Sequence, residues 1–254
     1  MRIERSGAGD PARTVALLWR RTATISRHGP RPALSIDAVV DAAIGLADAE
    51  GLAAVTMRRV AAALGVVPMT LYTYVPSKAE LLDVMLDTLY SRMTRADTTG
   101  QPWRRRLTVI ANENLAMLAA HPWAAGVSTV RPPLGPGLMA KYEHELSALE
   151  GLGLDDVEMD AALTYLLGFV QGCARAAADT RAVARDSAMA DAQWWEQTAP
   201  LLADVVDDRA YPIASRVGAA AGARHGGPYS PDHAYEFGLG RLLDGLAALI
   251  DHRA

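Results

Sequence analysis

The sequence predicts an all-α protein: a small N-terminal helix-turn-helix unit followed by a larger helical unit. Three observations carry this reading. Half of the 254 residues are hydrophobic, yet phenylalanine occurs only twice and alanine is abundant. A core rich in the strongest helix former and poor in large aromatics suits packed helices better than β-sandwiches. Apolar residues recur at three- and four-residue spacing between recognisable start and stop signals. The charge is also uneven. Residues 1–95 hold 12 Lys and Arg against 9 Asp and Glu, and the remainder holds 13 against 20. A basic front on a chain of net charge −4 points to a polyanionic partner for the front part. An ordinary solvated surface accounts for the charge equally well.

Residues 1–33 are rich in Arg, Gly and Pro and read as a flexible basic arm with a short helix around residues 14–25. Ser35 is placed to cap the next helix. There Ile36, Val39, Val40, Ala43, Ile44 and Ala47 share one face, and Gly51 stops it. Thr56 caps a short helix that ends at Gly65. Pro68 suits the first turn of another short helix, where its missing N–H costs nothing, and Pro76 breaks it. Ser77 and Glu80 form a capping-box pattern at the head of a long helix running to about residue 95.

Two short helices around the tight turn 65–67, between longer ones, make a helix-turn-helix over residues 34–82. Val60, Ala61, Leu64, Leu71 and Val75 must turn inward for the short helices to pack. That leaves Thr56, Arg58, Pro68, Met69, Thr70, Tyr72, Thr73, Tyr74 and Lys78 for the outward face. From Thr56 to Leu82 there is no acid before Glu80. Arg is shaped for guanine, Thr and Met for base edges and thymine methyls, and Tyr hydroxyls and Lys for phosphates, so this face suits the major groove of double-stranded DNA.

These residues resemble the DNA-binding domain of the TetR family of transcriptional regulators. The likeness rests on Thr56, Arg58, Ala61, Leu64, Gly65, Val66, Thr70, Leu71, Tyr72, Val75, Lys78 and the Leu81–Leu82 pair, with "GPRPALSIDAVVDAAIGLADAEGL" as the family's first helix. Val75 departs from the aromatic residue that many members carry there. A second likeness spans most of residues 100–252, through "LTYLLGFVQGCARAAAD", "WWEQTAPLL" and "YEFGLGRLLDGLAALI". It implies an all-α effector-binding and dimerisation domain over residues 100–254, with a four-helix bundle formed by helices near 156–179 and 235–252 of two copies. Leu166, Gly168, Leu239, Leu242, Leu246 and Leu249 are its candidate interface residues. The family's usual behaviour implies a homodimer that represses from a palindromic operator until a small-molecule effector releases it. On one face of DNA the two heads would sit about 34–36 Å apart, one helical turn.

The candidate effector walls are Trp103, Leu107, Leu118, Trp123, Val127, Met139, Tyr142, Leu163, Tyr165, Leu166, Phe169 and Trp195, each of which a plain core explains as well. Asn112, His144, Gln171 and Arg175 are candidate polar contacts. Apolar walls with few polar groups suit an aromatic molecule. Val127 and Gly172 fall where tetracycline repressors keep metal-chelating residues, so a metal–tetracycline complex is not expected, and no cofactor or metal is.

No catalytic constellation stands out. Cys173 has no neighbouring His and reads as a core thiol, and the six histidines show no metal-ligand spacing. "GLGLDD" joins helices and is no phosphate loop. A single cysteine fits a reducing cytoplasm, and no apolar run reaches the roughly 18 residues of a membrane span. An enzyme with an appended helical head and a ligand-free DNA-architectural protein are the alternative classes.

Overall fold

The computed structural model describes residues 4–21 and 34–251. Among these residues it is helical throughout, with one isolated bridge between Arg5 and Ser128. Helix α1 is Pro11–Leu18, capped by the Asp10 carboxylate accepting from the Arg13 N–H. Helix α2, Ile36–Glu50, begins at Ser35, whose side chain accepts from the Ala38 N–H, and it ends at Gly51 with φ 84°. Helices α3, Met57–Ala63, and α4, Pro68–Tyr72, frame the turn, in which Gly65 adopts φ +67°. A side chain at Gly65 would be strained there. Val60, Ala61, Leu71 and Val75 are fully buried between α2, α3 and α4.

Helix α5, Lys78–Arg92, connects the two units. Its N-terminus departs from a simple capping box. Ser77 Oγ accepts from the Ala79 N–H, and its hydroxyl donates to the Glu80 carboxylate. The C-terminal unit comprises α6 (Trp103–Ala120), α7 (Pro122–Ala125), α8 (Pro136–Ser147), α9 (Asp156–Ser187), α10 (Asp191–Val205), α11 (Pro212–His225) and α12 (Pro231–Asp251). α5 lies against α8, and α9 packs against α6, α7 and α12. At Gly137 of α8 an added Cβ would clash with the Asp87 backbone carbonyl, so only glycine permits this approach. An Asp155–Glu158 capping box opens α9, and Ser230 accepts from the His233 N–H at the start of α12.

Three expectations are corrected. Residues 4–21 are no flexible arm. Leu17 and Leu18 are buried, and α1 packs on α5. Ser6 donates to the Arg131 carbonyl at 2.6 Å, and the Trp19 indole N–H donates to the Leu134 carbonyl at 2.8 Å. The segment is a strap between α5 and the loop before α8. The rest of the expected arm, Arg27 and Arg31 included, lies outside the described residues. Helix α9 runs eight residues past its expected end at 179, because no Gly or Pro interrupts it before Ala188 turns left-handed at φ 52°. Of the expected interface residues, Leu166, Leu239, Leu242 and Leu246 are buried inside one chain, where α9 meets α12. Gly168 and Leu249 are the two that face outward.

Candidate functional site

On the reading head, Arg58, Pro68, Met69, Tyr72 and Thr73 are exposed, with Met69 at 73%. Thr56 is the N-cap of α3 and accepts from the Arg59 N–H, so its outward role is structural first. Arg59 is engaged by Glu50 at 2.5 Å, whereas among the described residues no carboxylate pairs with Arg58. Thr73 donates its hydroxyl to the Thr70 carbonyl at 2.6 Å, and Thr70 is half-buried. Tyr74 follows α4 and packs partly against the core, so it does not belong to the exposed set. Lys78 sits at the first position of α5, where helix N–H groups attract anions. Its ammonium is met by Glu4 of the strap at 2.9 Å.

Three carboxylates run along α5 at i, i+3 and i+7, and all are buried: Glu80, Asp83 and Asp87. Each receives backbone N–H groups from another element. Glu80 accepts from Asp10, Asp83 from Gly7 at 2.9 Å, and Asp87 from Gly137 and Leu138 at 3.2 and 2.8 Å. Asp87 thereby caps α8, which has no side-chain cap of its own. Burial pushes the Asp83 carboxyl up to about 6 and raises Asp87 as well, against the opposing pull of those N–H groups. A further tie crosses the units: Asp48 of α2 accepts from the Trp123 indole at 2.8 Å and lies 2.9 Å from the His121 ring.

Among the described residues, a larger and a smaller hollow lie in the C-terminal unit. The larger, about 670 Å³, is a polar crevice beside residues 96–100, lined by Arg106, Tyr142, His144 and Glu150 among others. The smaller, about 90 Å³, is walled by five elements and the loop before α8. Tyr90 comes from α5, Asn114, Met117 and Leu118 from α6, Lys141 from α8, and Leu167, Val170 and Gln171 from α9. Lys141 is buried and bridges both Glu145 oxygens at 2.6 and 2.7 Å, and Asn114 donates to Glu145 at 2.6 Å. Burial lowers the Lys141 pKa while Glu145 opposes the shift.

The expected effector walls do not converge on this cavity. Leu107 and Val127 are core residues, and Trp123 is spent on Asp48. Trp103 carries Arg104 over its ring, 5.0 Å from the centroid. Met139 and Tyr165 are exposed, Phe169 stacks on Tyr235 at 5.9 Å, and Trp195 packs against Gly222. Tyr142 donates to Asp160 and lines only the larger crevice. From the wider set, Leu118 and Gln171 do line the small cavity, while His144 pairs with Glu113 and Arg175 donates to the Ala125 carbonyl. Sequence reasoning missed Tyr90, Asn114 and Lys141. Its one available signal was polar residues standing on otherwise apolar helix faces.

The chain matches the family model of bacterial regulatory proteins of the tetR family over residues 39–85 and that of the tetracyclin repressor-like C-terminal domain over residues 97–250. It is 40% identical over 252 residues to the HTH-type transcriptional repressor DrrR1 of Streptomyces coeruleorubidus, covering 98% of this chain and 90% of that one. Apo ActR from Streptomyces coelicolor superposes with a TM-score of 0.72 at 25% identity, covering 89% of this chain and 100% of ActR. ActR in complex with actinorhodin gives 0.70 at 26%, covering 87% and 99%. With both halves matched in order, and with the exposed short helix α4 and the connector α5 in place, the chain belongs to the TetR family of DNA-binding transcriptional regulators.

Proposed function

We propose that this chain is a dimeric repressor that leaves its operator when a small organic effector enters the α5–α6–α8–α9 cavity. One observation carries the reading: α5 belongs to both sites. Its first residue, Lys78, stands on the DNA side, and Tyr90, roughly 18 Å along the same helix, is a wall of the cavity. Lys141, another wall, lies one turn along α8 from Gly137 and Leu138, whose N–H groups Asp87 of α5 receives. A molecule that spreads the cavity therefore moves α5 both directly and through α8. A tilt of α5 changes the spacing of the two heads, and the effector acts only as far as it prefers the off-DNA geometry. ActR holds actinorhodin in a structure of this fold, which supports a small organic effector here.

The dimer face lies on the outward side of α9 and α12, with Tyr165, Gly168, Phe237 and Leu249 exposed on it. Arg58 and Met69 read bases, and Tyr72 and Lys78 hold phosphates. The work is binding without turnover, carried out in the cytoplasm where the operator is. Among the described residues no helix is long and apolar enough to cross a membrane. The test is footprinting of the purified protein on its own upstream DNA, followed by a compound screen for release. A palindromic footprint that shrinks on adding a compound supports the reading, and absence of any footprint refutes it.

A further inference from the structure

We infer that the effector presents a hydroxyl, or another O–H or N–H donor, on a compact uncharged frame, and that Asn114 Oδ1 and Gln171 Oε1 accept from it. This rests on the small cavity being the effector site. The inference follows from how the two amides are spent. Asn114 gives its N–H groups to the Ile110 carbonyl at 2.9 Å and to Glu145 at 2.6 Å. Gln171 gives its own to the Ala125 and Val127 carbonyls at 3.2 and 3.1 Å. Two acceptors on each NH₂ fix which way each amide points. Both side chains line the cavity, and among the described residues neither carbonyl oxygen receives a donor. A ligand that displaces water from these amide oxygens and brings no donor leaves them unpaired, which is costly, so the ligand that supplies one gains selectivity.

Charge argues in the same direction. Lys141 already faces both oxygens of Glu145, so the pair is neutral and asks for no counter-ion. Met117, Leu118, Leu167 and Val170 supply the apolar contact. The volume, about 90 Å³, is below the 150 Å³ or so at which an engineered cavity takes benzene. A ring seated wholly inside must therefore push the walls apart. Tyr90 and Lys141 are among those walls, so occupancy and movement of α5 are one event.

The test uses the full chain and two probes that differ only at oxygen, 2-naphthol and 2-methoxynaphthalene, titrated by thermal shift. The wild type is expected to bind the naphthol at least tenfold more tightly. Gln171→Leu should bring the ratio toward one, and Val170→Phe, which fills the cavity, should remove binding of both. Equal affinities in the wild type, no binding of the naphthol, or naphthol binding untouched by Val170→Phe would each overturn the inference. The wild-type comparison stands even where Gln171→Leu fails to fold. Release of operator DNA by a compound with no donor would overturn this inference and keep the repressor reading. A chain that protects no palindrome would sink the repressor reading and leave the naphthol comparison intact.

Discussion

Helices α5 and α10 are each 15 residues long, and α10 is the more apolar to the eye, with Trp194, Trp195, Leu201, Leu202 and Val205. Yet α5 buries nine residues, three of them acids, and α10 buries none within the chain. Composition does not decide burial. α5 is surrounded by α1, α2 and α8, and its acids are tolerated because backbone N–H groups from the strap and from the start of α8 meet them. α10 stands on the rim with α11, where Trp195 against Gly222 is its main anchor. Position in the packing order, and polar partners arriving from elsewhere, set where the stability of this molecule is concentrated.

The sharpest way to break that contrast is a pair of glycines. Gly137→Ala places a methyl against the Asp87 backbone and should cost more than about 3 kcal/mol, beyond ordinary overpacking. Gly218→Ala in α11 meets nothing within 4 Å and should stabilise by about 0.5–1 kcal/mol through helix propensity. Denaturant midpoints for the two would have to coincide for the contrast to be wrong.

Next in size is DNA recognition. Arg58→Ala is expected to lose about 1–3 kcal/mol of discrimination at one base pair per half-site. Trp194→Ala, on the rim, should leave operator preference unchanged. Selection from a randomised operator library reports both, and a shift of preference by the α10 variant would tie the rim to reading.

The buried acids give the third expectation. The folded pKa of Asp83, about 6, lies above its ordinary 3.8. The native state therefore holds this proton more firmly than the unfolded chain does. The contribution of Asp83 is fullest below about pH 4 and is lost as pH rises through 6. Stability measured at pH 4, 5, 6 and 7 should fall less steeply over that window in Asp83→Asn than in the wild type. Parallel curves would show that Asp83 does not titrate there.

The smallest effect concerns Glu4. An exposed ion pair is worth at most about 1 kcal/mol, so freeing Lys78 by Glu4→Ala should tighten DNA binding by up to about fivefold at low salt. Lys78→Ala should weaken binding on all sequences and lower the salt slope by about one per subunit. Weaker binding by Glu4→Ala in a fluorescence titration would mean that the strap assists the head.

The head was legible in the sequence because its signals are local. Ser35, Thr56, Pro68 and Ser77 announce helix starts within three residues of themselves, and Leu71 with Val75 fixes the outward face. The cavity was not, because its walls come from helices as distant as Tyr90 and Gln171, and a cavity is a place that side chains fail to fill. Lys141 and Glu145 have the i, i+4 spacing of an ordinary helix pair, but their side chains are only 8% and 2% exposed. Nothing local marks Asp83 and Asp87 as buried acids. Their partners, Gly7 and Gly137, stand 76 and 50 residues away in the chain, beyond the reach of any local pattern.

The strap also sets an order in time. Ser6 meets a carbonyl 125 residues downstream, and Trp19 meets one 115 residues downstream. A segment made early is thus completed late. At about 5–20 residues per second, roughly 6–23 s pass between synthesis of Trp19 and of its acceptor. Helices α2 to α5 are all made before that acceptor, so the head can begin to form during the interval. The strap can settle on α5 as soon as that helix exists, but its ties to Arg131 and Leu134 close only as the second unit condenses.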